Sequence, residues 1–237
     1  MINLLLTKIL GSKNWHTDDH PQLFRGIVED PHVLATWEEV EHCINFPQFY
    51  DIKFIHRDTL EYIQIPKHQR CWAHDSQDVR DLMQAWVDGH NIIINNFDSG
   101  FKKKQEILKQ FEEYFDARMA LHVYAGYTGC SSFRVHEDTA SNFIIQIEGS
   151  THWTVYKNRC SNIIKPLDVV QEEFNEMIAE MEPAIDTMLT PGDIIYIPAR
   201  CYHQAKPSGK RLSVSIPMQH MLPHLKPVDR KYYALPH

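Results

Sequence analysis

Apolar residues recur at helical spacing in four stretches of the chain. Thr36 and Glu39 are spaced as a capping box, which predicts a short helix that ends near Phe46. A second stripe predicts a helix from about Ser76 to Gly89, where the glycine supplies the stop. The two later stripes consist of Ile107, Leu108, Phe111, Tyr114 and Phe115, and of Val170, Phe174, Met177, Ile178 and Met181. We expect these stripes to be packing faces, and the first three helices to brace one side of a β-structure.

Shorter apolar runs bounded by turn residues predict β-strands, most of them in the second half of the chain. Residues 91–95 form a buried strand, which we expect to be the first of the main sheet. Further strands are predicted over 142–148, 153–156 and 194–197. From Arg211 to Ile216, polar and apolar residues alternate, as in a strand with one buried face. The fold class is therefore mainly β with flanking helices.

Composition indicates a single domain in a reducing compartment. A chain of 237 residues that is 43% hydrophobic can bury a sizeable core without a second domain. Its five cysteines are an odd number without a Cys-x-x-Cys pair, which argues against a disulfide framework. The apolar start Met1–Leu10 has no basic region before it and no small-residue cleavage site after it. We expect neither a signal peptide nor a membrane span, and a cytoplasmic protein.

The charge balance bears on the partner. A formal net charge of −7 disfavours nucleic acid as the main partner and suits a basic protein or peptide. The basic cluster Lys102-Lys103-Lys104 is too small to reverse this, and we expect it to be a solvated helix end.

Three residues stand out as candidate metal ligands: His136 and Asp138 in a His-x-Asp pair, and the later His203. Fifteen histidines make a chance pair plausible, but both segments lie at the ends of predicted strands. Two imidazoles and one carboxylate on one face of a metal are the ligand set of non-haem Fe(II) oxygenases, and they leave open positions for a cosubstrate and O2. The triad predicts a metal-dependent enzyme.

The triad and its flanking strands resemble the JmjC and cupin-type 2-oxoglutarate oxygenases, most of all their ribosomal-oxygenase branch. The residues that carry the resemblance are His136-Glu137-Asp138, Phe143–Gly149, Trp153–Tyr156, Pro191–Pro198 and His203-Gln204-Ala205. The resemblance implies a double-stranded β-helix, the jelly-roll barrel of cupins. It divides the single domain 1–237 into an N-terminal support region 1–118, a barrel core 119–217 and a short tail 218–237. Members of that branch usually carry a dimerisation region and a winged-helix domain after the barrel, but only about twenty residues follow Ile216 here, so we expect those elements to be absent.

The same resemblance implies an activity, that of an Fe(II)- and 2-oxoglutarate-dependent dioxygenase. Such an enzyme would hydroxylate a protein side chain, with a ribosomal-protein-like substrate as one expectation. His136, Asp138 and His203 would be both the metal ligands and the catalytic centre. Mn, Ni or Zn can replace iron in a purified sample.

The chain departs from the family at the residue that holds the cosubstrate. In JmjC-type enzymes a Lys or Arg fifteen residues after the first metal histidine binds the distal carboxylate of 2-oxoglutarate, and that position is Thr151 here. Arg211 and Ser213 resemble the Arg-x-Ser motif with which other oxygenase branches hold this carboxylate, and a guanidinium suits a bidentate contact. By the family pattern, Asn142 and Tyr124 also look placed to reach the cosubstrate or the substrate. The alternatives are that Asn142 hydrogen-bonds to a neighbouring site residue and that Tyr124 is a core residue with its hydroxyl at the rim.

Two alternatives remain open. One is a metal-dependent cupin enzyme that does not use 2-oxoglutarate, such as an isomerase, and Thr151 favours it. The other is a non-catalytic cupin barrel that binds a peptide or sugar, against which the intact triad beside Arg211 and Ser213 argues.

Overall fold

The computed structural model of the protein describes residues 20–68, 76–160 and 171–220. Its helices are α1 (Trp37–Asn45), α2 (Val79–Val87), α3 (Lys102–Phe115) and α4 (Gln171–Ala179), with 3-10 turns at Pro31–Val33, Pro47–Phe49 and Phe97–Gly100. The strands before the predicted barrel are β1 (Gln22–Phe24), β2 (Asp51–Ile55), β3 (Tyr62–Ile63), β4 (Lys67–His68), β5 (Ser76–Gln77) and β6 (Asn91–Asn95). The later strands are β7 (Ala117–Met119), β8 (His122–Gly126), β9 (Ser141–Glu148), β10 (Thr151–Arg159), β11 (Pro183–Leu189), β12 (Ile194–Ile197), β13 (Cys201–Pro207) and β14 (Arg211–His220).

Apart from β4 and β5, which form a two-stranded sheet of their own, the strands form a large and a small sheet between which the chain crosses repeatedly. The large sheet has the order β1-β12-β9-β14-β8-β6-β2-β3, with β7 also paired to β14, and the small sheet has the order β11-β10-β13. From β8 onward the chain passes from the large sheet to a bridge between His136 and His203, then to β9, β10, β11, β12, β13 and β14 in turn. This alternation is the double-stranded β-helix, so the predicted fold class is confirmed.

Both faces of the large sheet are buried. On β14, Leu212 and Val214 belong to the main apolar cluster, together with buried residues of α1, α2 and α3. The opposite face of the large sheet meets the small sheet, where Ile144 and Ile195 pack against Trp153 of β10. Because neighbouring residues of a strand point to opposite faces, each strand of the large sheet contributes alternately to the two layers.

One buried cation, whose exposure the sequence analysis predicted wrongly, connects two of the helices. The capping box of α1 forms as predicted, with the Glu39 amide donating to Thr36 and the Thr36 amide donating to the Glu39 carboxylate. Lys104 was expected to be solvated, yet its side chain is 6% exposed and its Nζ lies 2.9 Å from Glu39 Oε1. It also donates to the Val33 carbonyl. The lysine therefore ties α3 to the start of α1.

The main sheet extends into the region before residue 119. Strand 91–95 was expected to be its first strand, but β1 and β2 precede it, and β2 pairs with β6 along its whole length. The helix expected from Ser76 begins instead after Asp78, whose side chain accepts a hydrogen bond from the Arg80 amide, because Ser76–Gln77 pair with Lys67–His68. Val170 and the side chain of Phe174 lie outside the described residues.

None of the helices in the described ranges combines the length and the apolar character that crossing a membrane would require.

Candidate active site

The three predicted metal ligands meet in the wall of one pocket. His203 lies in β13, while His136 and Asp138 lie in the segment between β8 and β9. Their candidate ligand atoms all lie within 4.8 Å of one another, and His203 Nε2 is 3.7 Å from Asp138 Oδ2. This is the compact two-histidine, one-carboxylate grouping that the sequence predicted.

Backbone hydrogen bonds hold the two ligand segments together. The His136 amide donates to the His203 carbonyl at 3.1 Å, and the His203 amide donates to the His136 carbonyl at 2.8 Å. A second rung forms where the Arg200 amide donates to the Asp138 carbonyl at 2.7 Å. The ligands are therefore fixed by the ladder of the small sheet.

Both imidazoles direct the same nitrogen into the site. His136 Nδ1 lies 2.8 Å from the Arg134 carbonyl, and His203 Nδ1 lies 2.9 Å from the Cys201 carbonyl. A carbonyl oxygen only accepts hydrogen bonds, so each Nδ1 carries the proton. Each Nε2 is left with its lone pair, the form in which a histidine binds a metal.

The electrostatics of His203 also suit coordination. Burial, followed by the nearby His136, lowers the pKa of His203 to about 4, although Asp138 acts in the opposite direction. The imidazole is therefore neutral at physiological pH and need not lose a proton before it binds a cation.

Asp138 is oriented by a relay that starts on β14. The Ser215 hydroxyl donates to Asn142 Oδ1 at 2.7 Å, and Asn142 Nδ2 donates to Asp138 Oδ2 at 3.4 Å. The sequence left two roles open for Asn142, a contact with the cosubstrate or the substrate and a hydrogen bond to a neighbouring site residue. In the structure it touches the carboxylate of the triad, and its side chain also lines the pocket.

A pocket between the two sheets collects the other predicted residues, apart from Thr151. Tyr124, Asn142, Arg211 and Ser213 line it together with the triad. Ser213 donates to the buried Gln146 on the neighbouring strand β9. Desolvation by burial raises the pKa of Tyr124, so its hydroxyl stays protonated and can donate a hydrogen bond.

Arg211 is a buried cation in the pocket wall. It is 2% exposed, and its Nη2 donates to the Ser132 hydroxyl. Its Nε has no hydrogen-bond partner, and no carboxylate of the described residues forms an ion pair with its guanidinium. Burial lowers the pKa of Arg211 to about 10, which still leaves it charged at neutral pH.

Thr151 is fully buried at the start of β10 and does not line the pocket. Its neighbourhood nevertheless touches Arg211. Two residues earlier, Gly149 has a φ of +68°, and a Cβ there would lie 2.0 Å from the Lys210 carbonyl oxygen and 3.2 Å from the Arg211 Cα. The turn that leads to Thr151 therefore packs directly on the backbone of Arg211.

Five residues of the pocket wall were not among the predicted site residues: Ser132, Phe133, Ile144, Trp153 and Ala205. Trp153 stacks on His203 with ring centroids 6.0 Å apart, and its buried Nε1 has no hydrogen-bond partner. Its position two residues after Thr151, on the inward face of β10, is a signal that could have identified it. Ser132 and Phe133 lie in an irregular segment without periodicity, where no comparable signal exists; the Phe133 ring lies 5.1 Å from that of His136.

The sequence of the chain matches a known protein family. A family model described as JmjC domain matches residues 94–223, which is more than half of the chain. The chain belongs to the JmjC family. This JmjC chain is 30% identical over 113 residues to ribosomal oxygenase 1 of Danio rerio, a match that covers 47% of the chain and 20% of the relative. Ribosomal oxygenase 2 of Mus musculus is 32% identical over 111 residues, or 46% of the chain and 23% of the relative.

A third relative has a more specific name, the bifunctional lysine-specific demethylase and histidyl-hydroxylase NO66 of Drosophila grimshawi. It is 25% identical over 134 residues, which cover 55% of the chain and 18% of the relative. The JmjC chain thus matches only about a fifth of the length of these curated relatives.

Solved structures agree on the fold. The ribosomal oxygenase YcfD of Escherichia coli, in complex with cobalt and 2-oxoglutarate, superposes with a TM-score of 0.57 at 18% identity, over 87% of this JmjC chain and 49% of the YcfD chain. A second YcfD structure gives a TM-score of 0.58 at 18% identity, over 87% of this chain and 51% of the YcfD chain.

Proposed function

We propose that this protein is an Fe(II)- and 2-oxoglutarate-dependent oxygenase that hydroxylates a side chain of a basic protein. The observation that carries the proposal is the buried Arg211 guanidinium, which lines the same pocket as the metal triad and has no carboxylate partner among the described residues. A buried unpaired charge is unfavourable, and an anionic ligand would compensate it. 2-Oxoglutarate is a dianion that would bring one carboxylate to Arg211 while its oxo-acid end lies at the metal.

The triad fits the metal part of the proposal. His136 and His203 would bind iron through Nε2, and Asp138 would supply a charged oxygen ligand. The carboxylate ligand and the open coordination positions of such a site suit a hard, redox-active divalent ion. Asp138 also favours hydroxylation over halogenation, because a halide would need the position that its carboxylate takes.

Arg211 would replace the cation that the family places at Thr151. Ser132 fixes one end of the guanidinium, and Arg211 Cζ lies 6.0 Å from the centroid of the Tyr124 ring. The unpartnered Nε remains to bind a carboxylate oxygen. Ser213 and the Tyr124 hydroxyl would add neutral hydrogen bonds at the same carboxylate.

The protein groups position the reactants and exclude water. Bound iron and 2-oxoglutarate would supply the chemistry, in which one atom of O2 enters a substrate C–H bond and the other enters the succinate that forms as the oxo acid loses CO2. Arg211 would set the orientation of the oxo acid, and Asn142 would hold the Asp138 carboxylate in place. Trp153 and Phe133 cover the two histidine rings and would keep bulk water from the metal.

A protein substrate is supported by the names of the relatives and by charge. Ribosomal oxygenases and a histidyl-hydroxylase are among the relatives, and the net charge of −7 would favour the approach of a basic protein. The expected product is a hydroxylated side chain, detected as the gain of one oxygen atom by mass spectrometry of basic ribosomal proteins or histones. The His203→Ala variant is the control without the metal triad.

The first experiment separates 2-oxoglutarate use from other cupin chemistry, which Thr151 favours. Metal-free protein is titrated anaerobically with Fe(II) and then 2-oxoglutarate, and the weak visible charge-transfer band of a chelated oxo acid is recorded. We expect a band that requires both components, that is lost or weakened in Arg211→Ala, and that persists in Thr151→Ala. Iron binding without any band would refute the use of 2-oxoglutarate.

A further inference from the structure

Arg200 precedes β13 in a backbone conformation that disfavours a side chain. Its φ is +68°, a left-handed value that residues other than glycine adopt rarely. In this conformation its amide donates to the Asp138 carbonyl at 2.7 Å, and its carbonyl accepts from the Cys160 amide at 2.9 Å. One strained residue thus connects the His136–Asp138 segment with the end of β10.

The side chain of Arg200 forms an ion pair behind the site. Its Nη1 lies 3.1 Å from Glu137 Oε2, and the two side chains are only 9% and 2% exposed. Its Nη2 lies 3.2 Å from Cys160 Sγ. A glycine would adopt the same backbone without strain, so the backbone alone gives no reason for an arginine here.

Glu137 is the middle residue of the His-x-Asp pair. His136 and Asp138 line the pocket and Glu137 does not, since its side chain lies on the opposite side of the segment. Behind it, Val135, Cys160, Met181 and Tyr202 form a small apolar cluster. In such surroundings the attraction between Glu137 and Arg200 is weakly screened by water.

We infer that the Arg200–Glu137 ion pair positions the metal site by holding the His-x-Asp segment against β13 from the side opposite the ligands. This inference rests on the proposed function only in assuming that the triad binds a metal. Arg200 and Glu137 are positioning residues, because neither faces the pocket. Neighbours that orient metal ligands contribute about 10–100-fold to metal affinity, which is the size of effect we expect here.

The test measures Co(II) affinity and the visible ligand-field spectrum of the bound ion, with unfolding of the metal-free protein recorded in parallel. Arg200→Gly keeps the backbone conformation and removes the ion pair, while Glu137→Gln removes the charge and keeps the shape. The double variant Glu137→Leu/Arg200→Met exchanges the pair for apolar side chains, which often preserves folding stability, and it leaves the net charge near the metal unchanged. Lys104→Met is the matched control, because it breaks a buried ion pair far from the triad.

We expect all three changes at the pair to weaken Co(II) binding by about 10-fold or more and to alter its spectrum, even where the double variant unfolds like the wild type. Lys104→Met should bind Co(II) with wild-type affinity. Wild-type affinity and spectrum in Arg200→Gly and in the double variant would overturn the positioning role. If the wild type itself binds no divalent metal at the triad, the proposed function fails first, and that result is distinguishable from the failure of this inference.

Discussion

Arg211→Met separates the role of Arg211 in cosubstrate binding from any role in stability. The substitution removes the charge and keeps an unbranched side chain. Arg211 is 2% exposed, and among the described residues its guanidinium hydrogen-bonds to Ser132. Because an unpaired buried charge is unfavourable, its replacement by an apolar group should cost little. We expect the free energy of unfolding of the metal-free variant to stay within about 1 kcal/mol of the wild type or to rise.

Binding of 2-oxoglutarate should respond very differently. Truncating one partner of a buried, hydrogen-bonded charge pair costs about 2–5 kcal/mol. At about 1.4 kcal/mol for each factor of ten, Arg211→Met should weaken 2-oxoglutarate binding by roughly 30-fold to several thousand-fold. The affinity for the metal should be unchanged, because among the described residues the Arg211 side chain makes no hydrogen bond to His136, Asp138 or His203.

The assay is urea unfolding with Mn(II), in the presence and absence of 2-oxoglutarate. At a concentration 100 times its Kd, the ligand stabilises the wild type by about 2.7 kcal/mol, and a 30-fold loss of affinity reduces this to about 0.9 kcal/mol or less. Lys210→Met is the matched control, because Lys210 Nζ lies 4.4 Å from the Trp37 ring centroid, outside the pocket. Full stabilisation of Arg211→Met by 2-oxoglutarate would refute the anchor. A loss of several kcal/mol in the metal-free variant would instead refute the argument that the buried guanidinium contributes nothing to stability.

Three further predictions follow from the contacts of single residues. His203 has its pKa lowered to about 4 by burial and by His136, so below pH 6.5 the unfolded chain binds a proton that the folded protein does not. The free energy of unfolding of the metal-free protein, measured with urea, should fall by up to about 3 kcal/mol between pH 6.5 and 4, and His203→Gln should reduce this dependence on pH. Asn142→Ala should weaken Co(II) binding about 10-fold or more, measured by competition with a chelating dye, and unchanged affinity would exclude a role in holding the triad carboxylate. Asp193 is buried, but hydrogen bonds from Thr190, Gly26 and Arg25 outweigh burial and lower its pKa. Asp193→Ala should lower the free energy of unfolding by about 2–4 kcal/mol at pH 7, and the difference from the wild type should shrink as the pH falls and the carboxylate is protonated.

Local patterns were sufficient for much of the barrel. The alternation from Arg211 to Ile216 predicted which residues share a face of the strand. In the structure, Leu212, Val214 and Ile216 lie in the main apolar cluster, while Arg211 and Ser213 line the pocket on the other face. The spacing of the capping box predicted where α1 begins, because Thr36 and Glu39 satisfy each other's backbone amides without distant partners. Such features depend on neighbours in the sequence, which a pattern records.

Features that depend on distant partners were not predictable in the same way. Lys104 is buried only because Glu39 and the Val33 carbonyl meet it from another part of the chain. Asn142 faces the triad carboxylate because Ser215, on a neighbouring strand, fixes its amide. No periodicity encodes which residue lies across a sheet or between two helices.

The cation that would bind the distal carboxylate of 2-oxoglutarate can come from either of two strands, because the site would require a particular total charge at one corner of the barrel. The turn at Gly149 packs on the backbone of Arg211, and Thr151 lies on the same face of β10 as Trp153, which lines the pocket. A longer side chain at Thr151 would therefore start close to the corner that Arg211 occupies. A divalent metal, the carboxylate of Asp138 and the dianion 2-oxoglutarate would together leave one negative charge, and a single guanidinium cancels it. A cation at Thr151 in addition to Arg211 would leave a positive charge buried, and neither cation would leave a negative one, each unfavourable. Because Arg211 is a cation, a site that binds 2-oxoglutarate should have an uncharged side chain at position 151. The departure from the family at Thr151 therefore does not argue against the use of 2-oxoglutarate.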